Sequence, residues 1–162
     1  MSVPTPYAAT RITRDSPNGF AQTRTRFDQQ VPSVDPAVTL ELVVSEASWE
    51  KVRTTVESLA PGGLVALARI DQGALLSLSG HPLEATLYLV GNPLVALQLI
   101  ELQPAAALYA PFRVAIYHDP TGVHASYDLP SSVFKSLGSS AVDEIAVGLD
   151  EKIRTAVEET CR

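Results

Sequence analysis

The stretch from Phe112 to Asp128 constrains the fold more than any other part of the chain. Two strand-like runs, 112–118 and 123–128, flank Asp119-Pro120-Thr121-Gly122, a tetrapeptide built for a tight reversal, so the segment reads as a β-hairpin. A loop of two or of four residues gives the same register. His118 opposes Val123, Tyr117 opposes His124, Ala115 opposes Ser126 and Arg113 opposes Asp128. Alternation then gathers Arg113, Tyr117, His124, Ser126 and Asp128 on one face. Phe112, Val114, Ile116, Ala125 and Tyr127 fall on the other, with His118 at its rim. The hairpin makes the sheet at least partly antiparallel, and its apolar face is the side that helices should cover.

Helical signals supply that cover. Residues 20–30 read as a short helix after the turn-rich 15–19, and Asp35-Pro36 looks like a cap followed by proline in the first turn. This opens a segment with Val38, Leu42 and Val43 on one face. Ser48 caps a further helix carrying Trp49, Val52, Val56 and Leu59, with Trp49 read as core, and Pro61-Gly62-Gly63 stops it. Asn92-Pro93 repeats the cap-plus-proline signature. Val142, Ile145, Ala146, Leu149, Ile153, Ala156 and Val157 mark one apolar face of a C-terminal helix with Ser140 as its cap. Strand-like runs occupy 7–14, 64–71, 74–78 and 84–90. The class is α+β: a two-layer sandwich whose mostly antiparallel sheet has helices on one face. Residues 1–6 read as a disordered tail, and 7–162 as one domain with a helical insertion at about 31–60.

Composition narrows the partners. The apolar fraction of 46% against 19% charged residues fits one domain with a full core, and the formal charge is −6. No cluster of Lys and Arg is available to neutralise a phosphate backbone, so nucleic acid is not expected. No window approaches the roughly 18 consecutive apolar residues of a membrane span, and the N-terminus lacks the pattern of a secretory signal. Cys161 is the sole cysteine, which leaves no intrachain disulfide or thiolate cluster and fits a reducing, cytoplasmic setting. Neither a metal nor a cofactor is expected, since nucleotide-binding, hydrolase and zinc-protease motifs are all missing.

The strands carry few but chemically rich polar residues. All three His and four of the five Tyr lie between His81 and Tyr127, which concentrates the chemistry in one part of the chain. Arg113 with Asp128 could form an anion site oriented by a carboxylate, or an ordinary cross-strand pair. Tyr117 with His124 could serve as acid and base if water is excluded, and His81 is a third candidate for such chemistry. Arg69 and Asp71 share one side of their strand, opposite Ala66, Ala68 and Ile70, while Thr86 and Tyr88 oppose Ala85, Leu87 and Leu89. The candidate ligand-binding set is therefore Arg69, Asp71, Tyr88, Asn92, Arg113, Tyr117 and Asp128. Asn92 is included because a helix opening there presents free N–H groups to an anion.

Several ordered motifs carry a family resemblance: Ala-Arg-Ile-Asp at 68–71, Gly-Asn-Pro at 91–93, Leu-Tyr-Ala-Pro-Phe-Arg-Val at 108–114 followed by Tyr117, and Tyr-Asp-Leu-Pro at 127–130. In their order and spacing the chain resembles the bacterial domain-of-unknown-function family numbered 302. The resemblance is close over about 64–158 and extends toward residue 7, with 31–60 matching a longer subset of members. It implies a two-layer α+β domain, often dimeric, with no assigned activity. Many members carry His directly after the residue matching Asp71, whereas this chain has Gln72.

Two functional classes follow, with a third beside them. The first expectation is a module that binds a small anionic or aromatic molecule on the polar sheet face. A cofactor-independent enzyme using Tyr and His is the alternative, and an oligomerisation domain is the third. A homodimer is expected from the resemblance and from the mixture of Tyr and Arg on the leftover face.

Overall fold

The computed structural model describes residues 4–162. The tail reading for 1–6 thus lies partly outside the described residues, and Pro4–Thr10 are exposed and lack regular secondary structure. Strand β1 (Arg11–Ser16) starts four residues later than expected from the alternation. The other strands are β2 (Val65–Asp71), β3 (Ala85–Gly91), β4 (Phe112–Asp119) and β5 (Gly122–Asp128). They form one five-stranded sheet in the order β1-β5-β4-β3-β2, with every neighbouring pair antiparallel. The hairpin has the expected register: His118 faces Val123, Tyr117 faces His124 and Ala115 faces Ser126.

Helices α1 (Phe20–Gln30), α5 (Pro93–Leu102), α6 (Pro130–Phe134) and α7 (Ser140–Thr160) contribute to one layer over the sheet. Their inward residues Phe27, Leu99, Phe134, Val142 and Ile153 join Tyr88, Val90, Val114 and Ile116 in a single core. Helix α7 has the apolar face expected of it, but its cap is Ser139, whose hydroxyl accepts from the Val142 N–H. Helix α6 was not expected. Pro130 in its first turn is compatible with helix entry, and Phe134 plugs the core beside Tyr109.

The insertion forms α2 (Pro36–Val44) and α3 (Trp49–Leu59), capped by Asp35 and Ser48 as the sequence indicates. It is tied to the sheet where Ser33 bridges Ala66. Trp49, expected in the core, is more than half exposed. The buried stripe of α3 centres on Val56, two turns further along, which leaves the first residue of the helix beyond the packed region. Val43 is exposed as well.

Residues 74–78 are not a strand. Asp71 accepts from the Ala74 N–H and so caps a short helix, α4 (Gln72–Leu76), which continues into a turn at Ser77–Ser79. Gly73 is required there by packing: a Cβ at that position would collide with the Leu83 carbonyl oxygen. The Ser77 hydroxyl then accepts from the Leu83 N–H at 2.8 Å and leads the chain into β3.

Candidate functional site

The sheet side away from the helices is open. The strand registers place Arg11, Thr13 and Asp15 of β1 beside Asp128, Ser126 and His124 of β5, and Arg113, Ala115 and Tyr117 of β4 share that side. The β2–β3 half of this face is apolar, with Ala68, Ile70, Leu87 and Leu89. Across the polar half, the Thr13 and Ser126 hydroxyls lie 2.8 Å apart and Tyr117 Oη is 3.2 Å from Ser126 Oγ.

His124 is the most tightly held polar group on this face. Its Nδ1 lies 2.8 Å from Asp15 Oδ1 and its Nε2 lies 3.1 Å from Asp119 Oδ1, with Thr121 Oγ1 3.0 Å from the same nitrogen. Tyr117 lies against the ring at a centroid distance of 5.3 Å. Burial of the imidazole opposes its charge, but the Asp15 and Asp119 carboxylates outweigh that effect and raise its pKa. Asp119 is held down at about 2, first by the Thr121 hydroxyl and N–H and then by His124. With a carboxylate at each nitrogen, the ring in its protonated form donates twice and ties β1 to the hairpin turn.

The sign of the pH dependence follows. His124 has a folded-state pKa above its unfolded value of about 6.5, so its contribution is complete below that value and is lost as pH rises through the folded pKa. The Asp119 contribution has the opposite sign, present above the usual carboxylate value and lost as pH falls toward about 2. Urea unfolding at pH 5.5 and 8.5 is expected to show a lower midpoint at pH 8.5, with a smaller difference in His124→Gln. An equal pH dependence in both proteins would contradict a cationic His124.

Arg113 differs from Arg11, the other arginine on the open face. It is exposed, and among the described residues its guanidinium has no carboxylate within ion-pair distance. Asp128, its expected partner, instead accepts from Arg11 Nε at 2.9 Å and a second guanidinium nitrogen at 3.3 Å. Arg113 forms part of the wall shared by two adjoining hollows. One, of about 370 Å³, is lined by Arg11, Leu87, Tyr117, Ser126 and Asp128. The larger, of about 600 Å³, has an aromatic wall of Tyr7, Tyr109, Phe112 and Phe134.

The structure does not bring the whole sequence-derived set together. Arg113, Tyr117, His124 and Asp128 share the open face, whereas Arg69, Asp71 and Tyr88 point to the helix side. A bulge at Leu67 causes the first displacement: Ala66 pairs with Val90 but Ala68 pairs with Leu89, so the alternation of β2 changes phase before Arg69. Arg69 then meets Asp28 at 3.1 Å, and Arg24 meets Asp71 at 3.3 Å. Tyr88 is completely buried against Phe27, because β3 is apolar on both sides and alternation alone does not orient it. Asn92 is occupied as a cap, accepting from the Leu94 N–H at 2.9 Å and donating to the Gly63 carbonyl at 3.1 Å. His81 sits exposed in the loop before β3, outside the sheet.

Sequence reasoning overlooked Arg11, Asp15, Asp119 and Tyr109 as contributors to this region. Alternation within β1 contained a usable signal for the first two, since Arg11, Thr13 and Asp15 are two residues apart.

A five-stranded antiparallel sheet, covered by helices on one side and bearing an open face with a polar half, defines a two-layer α+β domain. Within that class the chain belongs to the family described as "Domain of unknown function DUF302", whose model matches residues 41–160. A similar solved structure is the crystal structure of an uncharacterized conserved protein DUF302 from Bacillus stearothermophilus. The two share 15% identity with a TM-score of 0.68, over 94% of this chain and 98% of the other. At that identity the likeness concerns the fold. No curated protein matched the chain. Among the described residues no helix is long and apolar enough to cross a membrane.

Proposed function

We propose that the domain binds a small molecule combining a carboxylate or phosphate with an apolar or aromatic body, and that it does so on the open sheet face. Arg113 is the observation that carries this reading: an exposed guanidinium without a protein carboxylate, set between a polar and an aromatic hollow. Its planar donors suit a two-oxygen anion, while Leu89, Tyr109 and Phe112 offer apolar contact to the remainder. Tyr117, Ser126 and the Arg11–Asp128 pair supply hydroxyl and charged groups at the polar end.

The enzyme reading receives less support, because both His124 nitrogens face carboxylates and neither is free to take a substrate proton. A reducing, cytoplasmic setting belongs to the proposal and draws support from Cys161, a free and buried thiol. Calorimetric titration with benzoate and phenyl phosphate tests the binding reading. At least one is expected to bind, with affinity lowered tenfold or more in Arg113→Ala, about 1.4 kcal/mol. Equal affinity in the two proteins would remove Arg113 from the site.

A homodimer is a second reading, supported by the open apolar half around Ile70, Leu87 and Leu89. Light scattering is expected to give about twice the 17.3 kDa chain mass. A mass independent of concentration and equal to one chain would exclude it.

A further inference from the structure

All residues of helix α5 except Gln98 and Glu101 are apolar, yet Leu99 alone is fully buried. Between α5 and the segment 109–112 lies a hollow of about 360 Å³. Pro93, Ala96, Leu97 and Ile100 line it at the i, i+3, i+4, i+7 spacing of one helical stripe, so it follows α5 for about 10 Å. The hollow is a groove. Val90, Leu99 and Phe134, all buried in the core, line it from below. Its two polar side chains are already engaged: Asn92 caps α5 and donates to the Gly63 carbonyl, and the Tyr109 hydroxyl accepts from Ser136 at 3.2 Å. The Leu94 and Val95 N–H groups both donate to Asn92, so the start of the helix has no donor to spare for an anion there.

We infer that this groove receives the alkyl chain of a medium-chain fatty carboxylate whose head group pairs with Arg113, an inference that rests on the anion site proposed above. Tyr109, Pro111, Phe112 and Phe134 belong to the walls of both the groove and the larger hollow that Arg113 lines. Phe112 and Arg113 are consecutive, so a carboxylate held by the guanidinium starts its chain beside the groove. The groove then selects the kind of chain. A wall whose donors and acceptors are all satisfied favours hydrocarbon and penalises polar substituents, which would lose their water without gaining a partner. Two helical turns of aliphatic lining, from Pro93 to Ile100, match an unbranched chain in shape, whereas rings suit the wider hollow with its aromatic wall.

Calorimetric titration of the full chain with hexanoate, octanoate and decanoate, beside benzoate as a probe without a chain, tests the proposal. Affinity is expected to rise about two- to fourfold with each added methylene. Two variants address the groove: Ala96→Phe fills it, and Leu97→Glu sets a charge at its rim, where the native side chain is already exposed and the fold tolerates the change. Both are expected to flatten the dependence on chain length while leaving benzoate affinity unchanged, and Arg113→Ala is expected to weaken every homologue by one common factor. Equal affinity for the three homologues, beside benzoate binding that depends on Arg113, would overturn the chain site and leave the anion site standing. The parental slope retained in both groove variants would place the chain elsewhere and overturn it too. Affinities unchanged by Arg113→Ala would overturn the anion site and this proposal with it.

Discussion

Val114→Asp and Ile116→Asp are each expected to abolish the cooperative thermal transition and the dispersed amide NMR spectrum of the native domain. Both side chains are fully buried at the centre of the helix-covered sheet face, where Val114 faces Tyr88 and Tyr127, and Ile116 faces Thr86 and Ala125. A carboxylate in that position has neither water nor a cationic partner, and the cost of burying it is comparable to the net stability of a domain of this size. Arg113→Ala, one residue away but on the open side, serves as the control and should melt within a few degrees of the parent. A cooperative, near-native melt for Ile116→Asp would show that the layers are not packed as described.

Phe27→Ala is the second large effect, expected to cost about 3–5 kcal/mol in urea unfolding. Phe27 is completely buried and its ring lies 4.7 Å from that of Tyr88, so truncation removes the contact that seats α1 on β3. Trp49→Ala deletes a larger ring from an exposed helix start and is expected to change stability by no more than about 0.5 kcal/mol. The pair separates burial from size. Equal losses for the two variants would mean that the insertion packs more tightly than its exposure indicates.

The contrast between Phe27 and Trp49 also bears on what a sequence discloses. Local signals were legible wherever one physical cause dominated: the turn chemistry of 119–122, the proline-led helix starts at Pro36 and Pro93, and the apolar stripe of α7. The face of β3 was not legible, because Leu87 and Leu89 are as apolar as Tyr88 and Val90. Residues 74–78 have an apolar run that fits a strand, but the Asp71 cap and the close approach of Gly73 to Leu83 turn it into a helix. At the open face, Arg113, Tyr117, His124 and Asp128 could be grouped from the hairpin alone. The carboxylate on one side of His124 comes from 109 residues earlier in the chain, and the partner of Asp128 from 117. Pairings at that separation depend on the strand order β1-β5-β4, which local sequence does not encode.

The bulge in β2 has a meaning for chain length as well. Because Ala66 and Ala68 pair with Val90 and Leu89, adjacent residues of β3, Leu67 has no rung of its own in the ladder. The strand contains one residue more than its neighbour can match. Removing Leu67 would leave each paired residue opposite its present partner, with Arg69 and Asp71 still turned toward α1, and removing Ala68 would let Leu67 take its rung, whereas removing Ile70 would turn Arg69 or Asp71 to the wrong side. The domain thus carries a single unit of slack within its sheet, a point at which it can shorten by one residue without exchanging its two faces.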